Sequence, residues 1–148
     1  MRVAIGSDHA GVALKAVLVE MLCALTIPHR DFGTGDDEAV DYPDVARAVA
    51  GVVAGGDYDR GIVICGTGIG ASIAANKVRG IRAALCHDTF SARMSREHND
   101  ANVLCMGSRV VGPGLAAAIV REWLATPFSG DERHSRRIDK IARLEGES

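Results

Sequence analysis

The residues from Ile62 to Ser72 join an apolar run to a glycine-rich turn, Cys65-Gly66-Thr67-Gly68-Ile69-Gly70, and then to a helical pattern. Glycines let successive backbone N–H groups converge, and a helix N-terminus adds positive potential, so such a turn can hold an anion or an oxyanion. Cys65 stands where the run ends and the turn begins. A thiol aimed at those amides can act as a thiolate base or nucleophile. Two blander readings fit the same spacing: a tight strand-to-helix connection around a small core cysteine, and a GxGxxA dinucleotide turn on Gly66, Gly68 and Ala71. Other candidates are Asp8 and His9, His87 and Asp88, His98-Asn99-Asp100, Arg109, and the run Arg133-His134-Ser135-Arg136-Arg137. Histidines shuttle protons near neutrality, and arginine forks pair with phosphate. Taken singly, each of these residues also reads as a cap, a satisfied surface residue or a solvated helix face.

Apolar runs at Val3–Ile5, Gly61–Cys65, Ile81–Cys86 and Val103–Met106, with a weaker one around Arg30–Phe32, predict five strands. Leu14, Val17, Leu18, Met21, Leu22 and Leu25 follow helical spacing and predict one core-facing helix. A second opens at Asp41-Tyr42-Pro43, carries Val45, Val49, Val52 and Val53, and stops at Gly55-Gly56. Weaker helical patterns cover Ala71–Val78, Thr89–Glu97 and Leu115–Ala125, and Asp131–Leu144 is basic with Ile138, Ile141 and Leu144 as its apolar edge. Strands alternating with helices imply parallel pairing through right-handed crossovers. The expectation is an α/β fold: a three-layer α/β/α Rossmann-like sandwich with a five-stranded parallel sheet. Residues 1–148 form one domain in this reading, with 131–148 a C-terminal helical segment. Ligands in such sheets bind beyond the carboxyl ends of the strands, where the candidate groups after the first, third, fourth and fifth runs fall.

Composition removes several classes of function. A 148-residue chain with 47% hydrophobic and 24% charged residues supports one core. A net charge of −2 argues against binding nucleic acid or an anionic membrane surface, and 4% aromatic residues are too few for a base-stacking platform. An acid, Asp8, interrupts the start before a signal-like apolar stretch develops, and Lys15 and Glu20 break the longest apolar segment, so a cytoplasmic protein is expected. Cys23, Cys65, Cys86 and Cys105 are spread without a CxxC pair, which suits neither a zinc site nor a disulfide scaffold. Cys23, Cys86 and Cys105 read as small core residues.

Six motifs in order carry a resemblance: Gly6-Ser7-Asp8-His9-Ala10-Gly11; Asp41-Tyr42-Pro43; Ile64 to Gly70 with Ser72 to Lys77; Gly80-Ile81-Arg82-Ala83; Ser95 to Leu104 around Glu97-His98-Asn99-Asp100; and Gly107-Ser108-Arg109-Val110-Val111-Gly112. Together they resemble the ribose-5-phosphate isomerase B family, which also includes isomerases of galactose 6-phosphate, allose 6-phosphate and tetrulose 4-phosphates. The resemblance implies a metal-free, cofactor-free aldose–ketose isomerisation through a cis-enediolate. It implies Cys65 as the base between C1 and C2, His98 as the ring-opening acid/base, and Thr67 as the residue passing a proton between the two oxygens. Amides of Gly66, Gly68, Ile69 and Gly70 would hold the oxyanion, with Asp8, Tyr42 and Asn99 against the sugar. His9, Arg109, Arg133 and Arg137 would hold the phosphate, with Arg136 the alternative to Arg137 and His134 a further candidate. It also implies a homodimer whose C-terminal arginines serve the partner's site, with a tetramer left open. Two other classes stay open on the residues alone: a non-catalytic sugar-phosphate or nucleotide-binding module, and a thiol-dependent hydrolase using Cys65 and His98.

Overall fold

Alternation along the strands decides the layering. Val3, Ile5, Ile62, Ile64, Leu104 and Met106 face one side of the sheet, while Ala4, Val63, Cys65, Val103 and Cys105 face the other. Both sets are buried, as a parallel sheet covered on both faces requires. In the computed structural model, which describes residues 1–35 and 38–146, the strands are β1 (Val3–Ser7), β2 (His29–Asp31), β3 (Arg60–Cys65), β4 (Ala83–Leu85) and β5 (Val103–Gly107). All pair in parallel in the order β2-β1-β3-β5-β4. Helices α1 (Val12–Ala24), α4 (Thr89–Asn99) and α5 (Pro113–Ala125) cover the first face, and α2 (Tyr42–Ala54) and α3 (Ile69–Ala75) the second. The α/β sandwich with five parallel strands is the expected one. Helix α6 (Glu132–Leu144) lies outside these layers and packs on α4; residues 147 and 148 of the expected C-terminal segment fall outside the described residues. No helix among the described residues is long and apolar enough to cross a membrane.

Local departures have local causes. The expected strand Ile81–Cys86 is reduced to Ala83–Leu85. On that sheet edge the Asn76 side chain donates to the Ala83 carbonyl at 2.9 Å and accepts from its N–H at 2.8 Å, standing in for a neighbouring strand. The weak second strand lies at His29–Asp31, one residue earlier than expected; Lys15 Nζ, almost fully buried, pairs with Asp31 at 2.8 Å and ties it to α1. Helix α3 runs Ile69–Ala75, not Ala71–Val78; it starts two residues early because Gly68 at φ +75° turns the chain directly into it. Val17 and Leu25 are exposed, so the stripe of α1 is narrower than its spacing predicts. Cys23, expected in the core, is also exposed, whereas Cys86 and Cys105 are buried.

Candidate active site

The chain runs from β1 to the β2 edge and then crosses back to β3, which opens a crevice beyond the carboxyl ends of β1 and β3. Asp8, the residue after β1, and Cys65, the last residue of β3, flank it. The Asp8 N–H donates to Ile64 O, and its buried carboxylate caps the short 3-10 turn His9–Gly11 by accepting from Ala10 N–H at 3.0 Å. His9 is exposed on that turn.

Cys65 is 4% exposed, and its Sγ accepts a 3.1 Å hydrogen bond from the Gly68 N–H. Thr67 and Ile69 are exposed, and Thr67 Oγ1 accepts from the Ile69 N–H at 3.3 Å. Among the described residues no backbone acceptor takes up the Thr67 or Gly70 N–H, which leaves both amides free for an oxyanion. Two glycines are set by close approach. A Cβ at Gly66 would lie 3.1 Å from the Arg109 guanidinium, and one at Gly70 would run into the Tyr42 ring. Arg109 therefore lies over the turn, and Tyr42, at the start of α2, covers the start of α3. The Arg109 N–H donates to Gly66 O, and Ser108 Oγ donates to Ala10 O at 2.8 Å, which joins the β5 loop to the 3-10 turn. Asp8, His9, Tyr42, Cys65, Gly66, Thr67, Gly68, Ile69, Gly70 and Arg109 are thus brought to one edge of the sheet. A cavity of about 360 Å³ lies on the α1 side of Arg109, between Ala13, Leu14 and Val17 and the loop from Val111 to Pro113, and does not reach the Cys65 turn. A cavity of about 700 Å³ between the segment after β2 and the start of α2 is bounded by Glu38, Asp41 and Asp44, whose charge repels a phosphate.

The remaining candidates are elsewhere. Helix α4 starts at the carboxyl edge and runs back toward the start of β5, so its 11 residues carry His98 and Asn99 roughly 16 Å away. Within one chain, His98 and Asn99 cannot join the Cys65 turn. His98 instead stacks on His134 of α6, with ring centroids 4.2 Å apart and planes at 14°. Burial, then the nearby His98 and Arg133, hold the His134 imidazole below its usual titration range; Arg137 acts in the same sense. These groups make a second, cationic cluster. Arg133 and Arg137 are one helical turn apart, whereas Arg136 lines a groove with Glu132, Asp139, Lys140 and Arg143 on another face. Among the described residues, no three His, Cys, Asp or Glu side chains converge as a metal site would require.

The sequence profile described as Ribose/Galactose Isomerase matches residues 3–141. The chain belongs to the ribose/galactose isomerase family. It is 49% identical to ribose-5-phosphate isomerase B of Escherichia coli, covering 97% of this chain and 96% of that one. It is 44% identical to D-erythrulose-4-phosphate isomerase 2 of Mycolicibacterium smegmatis, covering 99% and 98%. The structure of ribose-5-phosphate isomerase B from Clostridium thermocellum superposes with a TM-score of 0.97 at 54% identity, covering 99% of both chains. The isomerase is therefore an aldose–ketose isomerase acting on a sugar phosphate, and the binding-module and hydrolase alternatives fall away.

One placement escaped the reading of the sequence, although its signal was there. A helix between two parallel strands must end at the amino edge, so residues just before β5 cannot face groups just after β3. Gly107 was also missed. A Cβ there would lie 2.6 to 2.7 Å from the Thr67 backbone, a contact between loops 40 residues apart that no local pattern encodes.

Proposed function

We propose that the isomerase interconverts ribose 5-phosphate and ribulose 5-phosphate through a cis-enediolate, and that its working unit is a homodimer with sites shared between subunits. The observation that carries the chemistry is the Cys65 thiol at the strand end, bonded to Gly68 N–H beside unpartnered amides. In this reading Cys65 takes the proton from C2 of the open-chain aldose and returns it to C1. Charge that develops on O1 meets the Thr67 and Gly70 amides, fixed before the reaction begins, in place of the expected Gly68 and Ile69 amides, which already donate to Cys65 Sγ and Thr67 Oγ1. Thr67 carries the hydroxyl proton from O2 to O1, while Asp8 and Tyr42 orient the sugar. His9 and Arg109 bind the phosphate from the same chain. That contact does no chemistry but holds C1 and C2 at the base.

Ring opening needs an acid/base group, and His98 supplies it from the partner subunit, together with Asn99, Arg133 and Arg137. The separation of the two clusters within one chain supports this assignment, as do Ile69, Ile73 and Phe90, exposed at 52%, 57% and 71% on α3 and α4 around the β4 edge. Apolar side chains grouped in this way suit a subunit contact. Phosphorylated sugars do not cross bilayers, so the reading includes a cytoplasmic location. A second substrate reading, a four-carbon tetrulose 4-phosphate, follows from the similarity to the Mycolicibacterium smegmatis enzyme. Comparing kcat/KM over aldose phosphates of four to six carbons tests the choice; a clear preference for a four- or six-carbon substrate overturns the ribose 5-phosphate assignment. Cys65→Ala should abolish turnover and solvent exchange of the C2 proton while sugar-phosphate binding survives, and activity above about a tenth of wild type removes Cys65 as the base.

A further inference from the structure

Strand β4 ends at Leu85, paired with Cys105, and the last ladder bond runs from Cys86 N–H to Cys105 O. The next donor along β5, the Gly107 N–H, would meet a main-chain carbonyl if β4 continued. It donates instead to His87 Nε2 at 2.9 Å, so the imidazole replaces the missing strand and carries its proton on Nδ1. The Met106–Gly107 peptide held this way is the surface on which the catalytic turn sits. A Cβ at Gly68 would lie 2.7 Å from Met106 C and 3.0 Å from Gly107 N, and one at Gly107 would meet Thr67 C at 2.6 Å. Backbone lies directly on backbone at both points. The Gly68 N–H is in turn the donor to Cys65 Sγ.

We infer that His87 is a positioning residue: by holding the Gly107 N–H, it sets the height of the Thr67–Gly68 turn and so the approach of the Gly68 N–H to the Cys65 thiol. The neighbouring Asp88 is engaged elsewhere, capping α4 through Ser91 N–H at 2.6 Å and Ser91 Oγ at 2.8 Å. The turn that carries Arg109 keeps anchors independent of His87, namely Ser108 N–H to Cys65 O and Arg109 N–H to Gly66 O. Loss of the imidazole therefore acts on proton transfer more than on phosphate binding. The catalytic part of the inference rests on the reading of Cys65 as the base.

The test compares His87→Ala with His87→Gln, whose Oε1 reaches the position of Nε2. His87→Ala should lower kcat about threefold to tenfold, the scale of one net hydrogen bond, with KM for ribose 5-phosphate within about twofold. His87→Gln should restore kcat. Amide exchange read by NMR supplies an arm independent of turnover: the Gly68 N–H should exchange faster in His87→Ala and at the wild-type rate in His87→Gln. Unchanged kcat and Gly68 exchange in His87→Ala overturn the inference, as does a His87→Gln variant impaired as far as His87→Ala. If His87→Ala does not fold, His87→Asn replaces it, because its shorter amide stops short of Gly107, and the same outcomes apply. A change in Gly68 exchange with no effect on kcat would retain the positioning of the turn and overturn its catalytic part, while activity in Cys65→Ala would separately remove Cys65 as the base.

Discussion

His98 and His134 stack face to face, 4.2 Å between centroids, at the end of α4 remote from Cys65. The pair brings the ring-opening candidate and α6, which carries the candidate phosphate ligands Arg133 and Arg137, into one cluster, and separates both from the thiol of their own chain.

Two subunits with different defects should therefore repair each other. A Cys65→Ala subunit mixed with an Arg137→Ala or His98→Ala subunit gives mixed dimers with one site carrying both defects and one carrying neither. Random pairing makes half the dimers mixed, so activity should return to roughly a quarter of wild type per total site. Loss of a charge-assisted phosphate contact costs about 1.5–3 kcal/mol, or roughly 10- to 150-fold, which leaves recovery visible. Arg136→Ala should have little effect alone, since Arg136 lies with Glu132 and Asp139 on another face of α6. Mass spectrometry of labelled subunits checks exchange, and exchanged dimers that stay inactive refute the shared site.

Gly107→Ala and Gly66→Ala should fail differently. At Gly107 the added methyl meets the Thr67 backbone, which cannot turn aside, so the variant should lose about 1–3 kcal/mol of stability and more than tenfold in kcat. At Gly66 it meets the flexible end of Arg109. That variant should keep its urea midpoint and show mainly a raised KM for the sugar phosphate.

Acid should destabilise the fold partly through His134. Burial, then His98 and Arg133, push its imidazole below the ordinary 6.5, so the unfolded chain takes up this proton first as pH falls. The unfolded state then binds more protons, and stability is full above about pH 6.5 and declines below it until the folded imidazole also protonates. Melting temperatures between pH 7.5 and 5 should fall less steeply for His134→Phe than for the wild type. An identical slope in the two proteins would remove His134 from the acid response.

Exhaustive chelation should leave turnover intact, because the oxyanion is assigned to backbone amides. Activity lost on chelation and restored by zinc or manganese would refute that assignment.

The alternation of strand and helix patterns, the Cys65–Gly70 turn and the carboxyl-edge grouping of Asp8, His9 and Arg109 were legible in the sequence. They depend on short-range rules: side chains alternate along a strand, repeat every 3.6 residues along a helix, and strand ends in a parallel sheet collect at one edge. The extent of β4, the exposure of Cys23 and the placement of His98 were decided by tertiary structure. Asn76 ends the ladder at an edge it reaches only in the folded chain, and Cys23 is exposed because the core closes on Leu18 and Leu22 of the same helix. Gly107 must be glycine because a loop from another strand lies on it, and His87 matters because β4 stops one residue too soon. Sequence spacing ranks residues by type and local phase; distance across the sheet depends on strand order, which appears only when the five strands pack together.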